Sequence, residues 1–293
     1  MKIKVSGPVK ALLKLGFTIA ALWFVFSKIP FKEVLDSLQG LSPWPLFPAV
    51  IAFILSKYLS AVRLRRFFQA TGIPIGAVFN LKLYLLGMFY NLFLPGGIGG
   101  DGYKIYLLNR RFGVRATRIL WTVLADRASG LLALLVLGVG LYYLTPLRAG
   151  AFHGWIWFLA PLALAAAYLL LWKLLPSLRL LYVPTTLYSL GVQVAQILSA
   201  WLILTAIGSG GNPTGYLFLF LVSSIVAMLP ITVGGVGTRE LTFLLGSGML
   251  GLDTGVAVGL SLMFYLISLL VSFCGIYYLL RPGELRLGPD TSD

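Results

Sequence analysis

Charge is what this chain has least of. Only 11% of its 293 residues are Asp, Glu, Lys or Arg, against about 25% in a soluble domain, which leaves no room for a sizeable soluble domain. One cysteine, Cys274, excludes an internal disulfide and any thiolate cluster. One histidine, His153, sits in an expected outer loop, and no His, Cys and carboxylate spacing suggests a metal site. No nucleotide-binding loop is present either, so no cofactor is expected. Any energy source would be an ion gradient or the substrate's own gradient.

Apolar residues fill the space instead. They make up 59% of the chain, and the mean hydropathy is +0.92. The fold class is an all-α polytopic integral membrane protein. A formal net charge of +14 invites a nucleic-acid partner. The basic residues, however, flank apolar runs, where lipid phosphates and the positive-inside rule account for them. Lys2, Lys4, Lys10 and Lys14 resemble a signal n-region, but WFVFSKIP offers no small-x-small cleavage site, so 11–27 reads as a retained first span. Further spans are expected at 45–64, 117–144, 155–174, 184–207 and 255–280, with a polar connector at 31–45 and a polar cytoplasmic tail at 281–293. Arg63, Arg65 and Arg66 read as the charged close of the second span, and Lys57 as able to snorkel toward them.

The informative stretch occurs twice. Residues 94–104 read LPGGIGGDGYK and 229–239 read LPITVGGVGTR, both fitting L-P-x-x-x-G-G-x-G-x-[K/R]. Aligned, Pro95, Gly99, Gly100, Gly102 and Lys104 face Pro230, Gly234, Gly235, Gly237 and Arg239. Each copy interrupts an apolar run. In lipid such a break persists only inside protein or beside a water-filled cavity, and paired breaks in two halves point to a transporter's binding site. Basic residues on both sides of 79–108 put both its ends in the cytoplasm, so the segment is expected as a re-entrant hairpin. The second hairpin, 215–250, is entered from outside. The offset, 230 − 95 = 135, carries 117–144 onto 252–279 and 45–64 onto 180–199. The expected whole is a single transmembrane domain over 1–293, with six full spans and two re-entrant hairpins. Its inverted repeats cover approximately 45–145 and 184–280, and both termini are cytoplasmic.

Free N–H groups at the glycine-rich start of each second arm make an anion site, with Lys104 and Arg239 one turn further in. The other reading is that the glycines only allow tight packing. Asp101 suits an N-cap. Asp126 and Arg127 lie ~12–14 Å into their span, where charge is costly unless paired or hydrated and is functional by default. Adjacent helical residues diverge by about 100°, so each needs a partner elsewhere: Arg239 for Asp126, and Glu240 or Asp101 for Arg127. Asn91, Tyr84 and Tyr90 add polar groups to the first hairpin. Ser189, Gln193 and Gln196 form an inward stripe, and Gly255 with Gly259 makes a packing GxxxG.

The stretches NLFLPGGIGGDGYKIYLL, VLADRASGLLALL and LPITVGGVGTREL resemble the lysylphosphatidylglycerol synthetase transmembrane-domain (flippase-like) family. That resemblance implies a prokaryotic inner-membrane protein similar to the flippase half of enzymes that make and translocate aminoacylated phosphatidylglycerol. It implies a standalone member, since the chain ends without the soluble aminoacyltransferase domain. It places weight on Pro95, Gly99, Gly100, Asp101, Asp126, Arg127, Gly234, Gly235, Gly237, Arg239 and Glu240. The expected function is translocation of a phosphate-headgroup lipid, a phospholipid or a polyprenyl-linked lipid, by a transporter rather than an enzyme. A homo-oligomer is compatible with it. The alternatives are an integral-membrane lipid or glycan transferase and an ion-coupled small-solute transporter.

Overall fold

The computed structural model describes residues 40–92, 99–145, 153–174, 176–208, 212–228 and 238–285. The expected first span at 11–27, most of the connector, the proline-bearing parts of both motif copies and the tail from 286 lie outside them. Regular structure among the described residues is helical throughout. In chain order it comprises α1 (Leu46–Ala70), α2 (Ala77–Asn91), α3 (Gly99–Phe112), α4 (Ala116–Tyr142) and α5 (His153–Leu174), then α6 (Tyr182–Ile207), α7 (Thr214–Ala227), α8 (Thr238–Leu250), α9 (Thr254–Phe273) and α10 (Ile276–Leu280). Short 3-10 turns cover Pro176–Leu181 and Pro282–Leu285.

Local chemistry sets most of these boundaries. Asp253 caps α9 by accepting the Val256 N–H at 3.0 Å, worth about 1 kcal/mol at such a position. Gly208 ends α6 in the left-handed region at φ 78°, which a Cβ would oppose. Four stretches among the described residues are long and apolar enough to cross a bilayer: Leu46–Ala70, Ala116–Tyr142, Ser177–Ile207 and Thr254–Leu280. The helix α5 covers the expected span at 155–174 with 22 residues and carries Pro161 inside it. By contrast α2, α3, α7 and α8 have 15, 14, 14 and 13 residues. At ~1.5 Å per residue each falls short of a ~30 Å hydrocarbon core.

Helix starts among the described residues recur at nearly the 135-residue offset. Shifting the starts of α1, α2, α3 and α4 by 135 gives 181, 212, 234 and 251, against observed starts of 182, 214, 238 and 254 for α6, α7, α8 and α9. Each half is a long helix, two short helices packed on one another, and a second long helix. The helices α1 and α6 form the most extensive pair among the described helices. Small buried residues, Ala49, Ala52 and Ser56 on one and Ala195, Ser199 and Ala200 on the other, let their backbones approach. Ser199 Oγ donates to the Ala49 carbonyl at 2.8 Å across that contact.

Candidate functional site

The helix α1 runs to Ala70, past the expected end at 64. Arg63 therefore lies seven residues before the helix end, ~10 Å inside it, and is only 6% exposed. Its guanidinium grips Asp126 of α4 with two bonds, Nε to Oδ1 at 2.8 Å and Nη2 to Oδ2 at 3.1 Å. Its Nη1 donates to Ser189 Oγ of α6 at 2.8 Å, and Ser189 sits 2.6 Å from Ser129 Oγ. One bidentate ion pair thus ties together α1, α4 and α6. Two expectations are corrected. Arg63 is not an interfacial charge like its exposed neighbour Arg66, because α1 continues six residues past 64 and the face that carries Arg63 packs on α4 and α6. Asp126 pairs with Arg63 rather than Arg239.

The first motif copy supplies a second cluster. Asp101 lies inside the first turn of α3 and is not its N-cap; its carboxylate takes Lys104 Nζ at 3.0 Å on one oxygen and Arg127 Nε on the other. Of the two partners considered for Arg127, the structure joins it to Asp101. Asn91 Oδ1 does the capping instead, accepting the Gly100 N–H at 2.7 Å. That amide is therefore occupied rather than open to an anion. Gly99, Gly100 and Gly102 are helical. A Cβ on Gly100 would overlap the Gly87 carbonyl, so Gly100 serves the close crossing of α2 and α3, which is the packing alternative. Around Gly102 there is open space. Lys104, 6% exposed, lies across Gly87 with its Nζ 5.2 Å from the Tyr84 ring centroid.

Of the second copy, Gly234, Gly235 and Gly237 lie outside the described residues, and Glu240 is placed only as a backbone position in α8. Arg239 reaches inward: its Nη2 donates to Ser224 Oγ of α7 at 3.0 Å, and its guanidinium lies 5.3 and 5.0 Å from the Phe220 and Phe264 ring centroids. Phe264 packs edge-on against both Phe220 and Phe53. Lys57, expected to snorkel toward Arg63, turns the other way and sets its Nζ 4.5 Å from the Phe53 centroid. The same three rings therefore hold two cations.

These groups form one neighbourhood. Lys57 interacts electrostatically with both Arg239 and Arg63. The Tyr84 hydroxyl interacts with Ser60, Lys104, Asp126 and Arg63. Among the described side chains it contains five cations, Lys57, Arg63, Lys104, Arg127 and Arg239, and two carboxylates, Asp101 and Asp126. Among these described side chains the cations exceed the carboxylates by 5 − 2 = 3. Of the expected inward stripe, Ser189 and Gln193 are buried and Gln196 is half-buried. Among the described residues, a Cβ on Gly255 would meet its own helix cap, Asp253 Oδ1, at 3.2 Å. Sequence reasoning missed Arg63 and Lys57. The signal for Arg63 was the Thr71–Gly72 stop followed by Pro74, which marks the true helix end.

The chain matches the family described as lysylphosphatidylglycerol synthase TM region over residues 11–183 and again over 174–275. Together the two matches cover most of the sequence. No curated protein matches it significantly.

Proposed function

Because the chain belongs to the lysylphosphatidylglycerol synthase TM-region family, a multi-pass membrane family concerned with lipids, we propose that it translocates a phosphate-headgroup lipid between leaflets. The observation that carries this reading is the excess of positive charge among apolar helices. Cations crowded together in a low-dielectric interior are costly, and an anion arriving between them offsets that cost. Lys57 and Arg239 are held on one aromatic cluster although like charges repel; a phosphate between them relieves the repulsion. Arg127 and Lys104 are held by Asp101 through ion pairs that a second anion can exchange with.

The short paired helices support a pathway for the headgroup. In this reading α2–α3 and α7–α8 are re-entrant hairpins entered from opposite faces, since neither arm of either pair is long enough to span. Lys104 and Arg239, equivalent in the two motif copies, then bring one cation from each hairpin toward the midplane, while acyl chains remain in lipid.

The test is translocation of tail-labelled phosphatidylglycerol in proteoliposomes, read by dithionite bleaching of the outer leaflet. Arg239→Ala and Arg127→Ala are expected to lower the rate at least tenfold in protein that still elutes as a single folded species. Arg239→Lys is expected to keep part of the activity, since a point charge still attracts phosphate without bidentate geometry. Unchanged flux in the folded alanine variants overturns the proposal.

A further inference from the structure

Two cavities meet at one side chain near the arginine-rich end of the bundle, outside the ion-pair cluster. The outer cavity, of about 520 Å³, is lined by Thr71, Gly72, Arg115, Thr117, Arg118 and Ser177, together with Trp121. The inner one, of about 260 Å³, is lined chiefly by apolar groups, among them Phe67, Leu124, Ala128, Leu132 and Leu170, and again by Trp121. One is polar and cationic, the other is greasy, and they share the Trp121 indole as a wall.

We infer that this pair of cavities binds one anionic phospholipid, with its phosphate on Arg115 and Arg118 and an acyl chain in the inner cavity. Both arginines are exposed, and among the described residues neither has a carboxylate within ion-pair distance. They stand at the first turn of α4, beside the residues that follow the end of α1. Trp121 is 53% exposed, the placement expected of an indole at headgroup level. From Trp121 to Leu132 the inner cavity follows α4 for eleven residues, ~16 Å along the axis, a substantial part of an acyl chain. A soluble phosphate would use only the outer chamber, and a neutral lipid only the inner one. The combination selects a lipid with a negative headgroup, such as those enriched on the cytoplasmic leaflet.

The inner chamber is also coupled to the buried ion pair. Ser129 lines it and contacts Ser189 at 2.6 Å, and Ser189 accepts from Arg63. A seated acyl chain therefore ends one hydroxyl pair away from the Arg63–Asp126 bridge. The site is separate from the headgroup cluster, so it stands whether or not the protein moves lipid.

The test uses phosphatidylglycerol and phosphatidylcholine carrying brominated acyl chains, titrated into the detergent-solubilised full chain while tryptophan emission is recorded. Bromine quenches an indole only at short range, so the component lost in Trp121→Phe reports this site. Two nearby basic side chains are expected to favour phosphatidylglycerol over phosphatidylcholine by roughly 30-fold. Arg115→Gln with Arg118→Gln, both on the surface, should reduce that preference to near unity without lowering thermal stability. Ala128→Phe projects a ring into the inner cavity and should weaken both lipids at least tenfold. Unbrominated phosphatidylglycerol should relieve the quenching, while glycerol phosphate should not. Arg239→Ala should leave the signal unchanged, which separates this result from the outcome for translocation. Absence of a saturable Trp121 component overturns the inference, as do equal affinities for the two lipids or competition by glycerol phosphate as strong as by the lipid.

Discussion

Replacing Asp126 by Asn tests whether the three-helix bridge is a buried ion pair in energetic terms. The substitution keeps the shape, removes the charge, and turns one carboxylate oxygen into an amide donor that faces the Arg63 guanidinium. One of the two bonds at 2.8 and 3.1 Å is lost, worth about 1.5–3 kcal/mol when charge-assisted. The larger effect is on Arg63, whose side chain is 7% exposed and is left without its counter-charge. Breaking such a pair costs about 3–5 kcal/mol, a factor of roughly 10² to 10⁴ in the folded ratio. Arg63→Met should cost a similar amount by stranding the carboxylate. The double variant Arg63→Met with Asp126→Leu should recover most of the loss, because a well-packed apolar pair is often as stable as the ion pair it replaces. Steric trapping in bicelles gives the four free energies. A coupling energy of about 3 kcal/mol is expected from the cycle. Single variants within about 0.5 kcal/mol of the parent, a surface-like effect, together with additivity in the double, would refute the reasoning and mean that water reaches the pair.

The other predictions concern the paired short helices. Gly100→Ala sets a Cβ against the Gly87 backbone and should cost about 1–3 kcal/mol by overpacking. Gly102→Ala, two residues on in open space, should be neutral or raise stability by up to about 1 kcal/mol through helix propensity; equal losses in thermal unfolding would show that the crossing is not the constraint. For the re-entrant arrangement, single cysteines at Ala77 and Ala116 should share one side of the membrane, and those at Asn212 and Thr254 the other. All four positions are exposed, and Cys274→Ser removes the background thiol. A membrane-impermeant thiol reagent applied to whole cells should label 212 and 254 only; labelling one flank of either hairpin alone contradicts the arrangement.

Two kinds of information separate along this chain. Most helix limits were legible because they depend on neighbours in sequence. Apolar run lengths, the glycine and proline breaks and the 135-residue offset placed α4, α5, α6 and the two short-helix pairs within a few residues of where they stand. Asp126 and Arg127 could be recognised as interior charges from their depth in an apolar run, and their divergence on the helix correctly required two different partners. Which partners those are depends on contacts across 63 and 26 residues of sequence, and so on how α1, α3 and α4 pack. Arg63 stands in a run with Arg65 and Arg66 that looks interfacial in one dimension. Only the continuation of α1 to Ala70 and the helix faces set by α4 and α6 turn it inward. The glycines divide in the same way: sequence marks Gly100 as a residue that cannot carry a side chain. That the reason is the Gly87 backbone, and not an open anion nest, is decided by the approach of a second helix, because steric exclusion is a property of two surfaces.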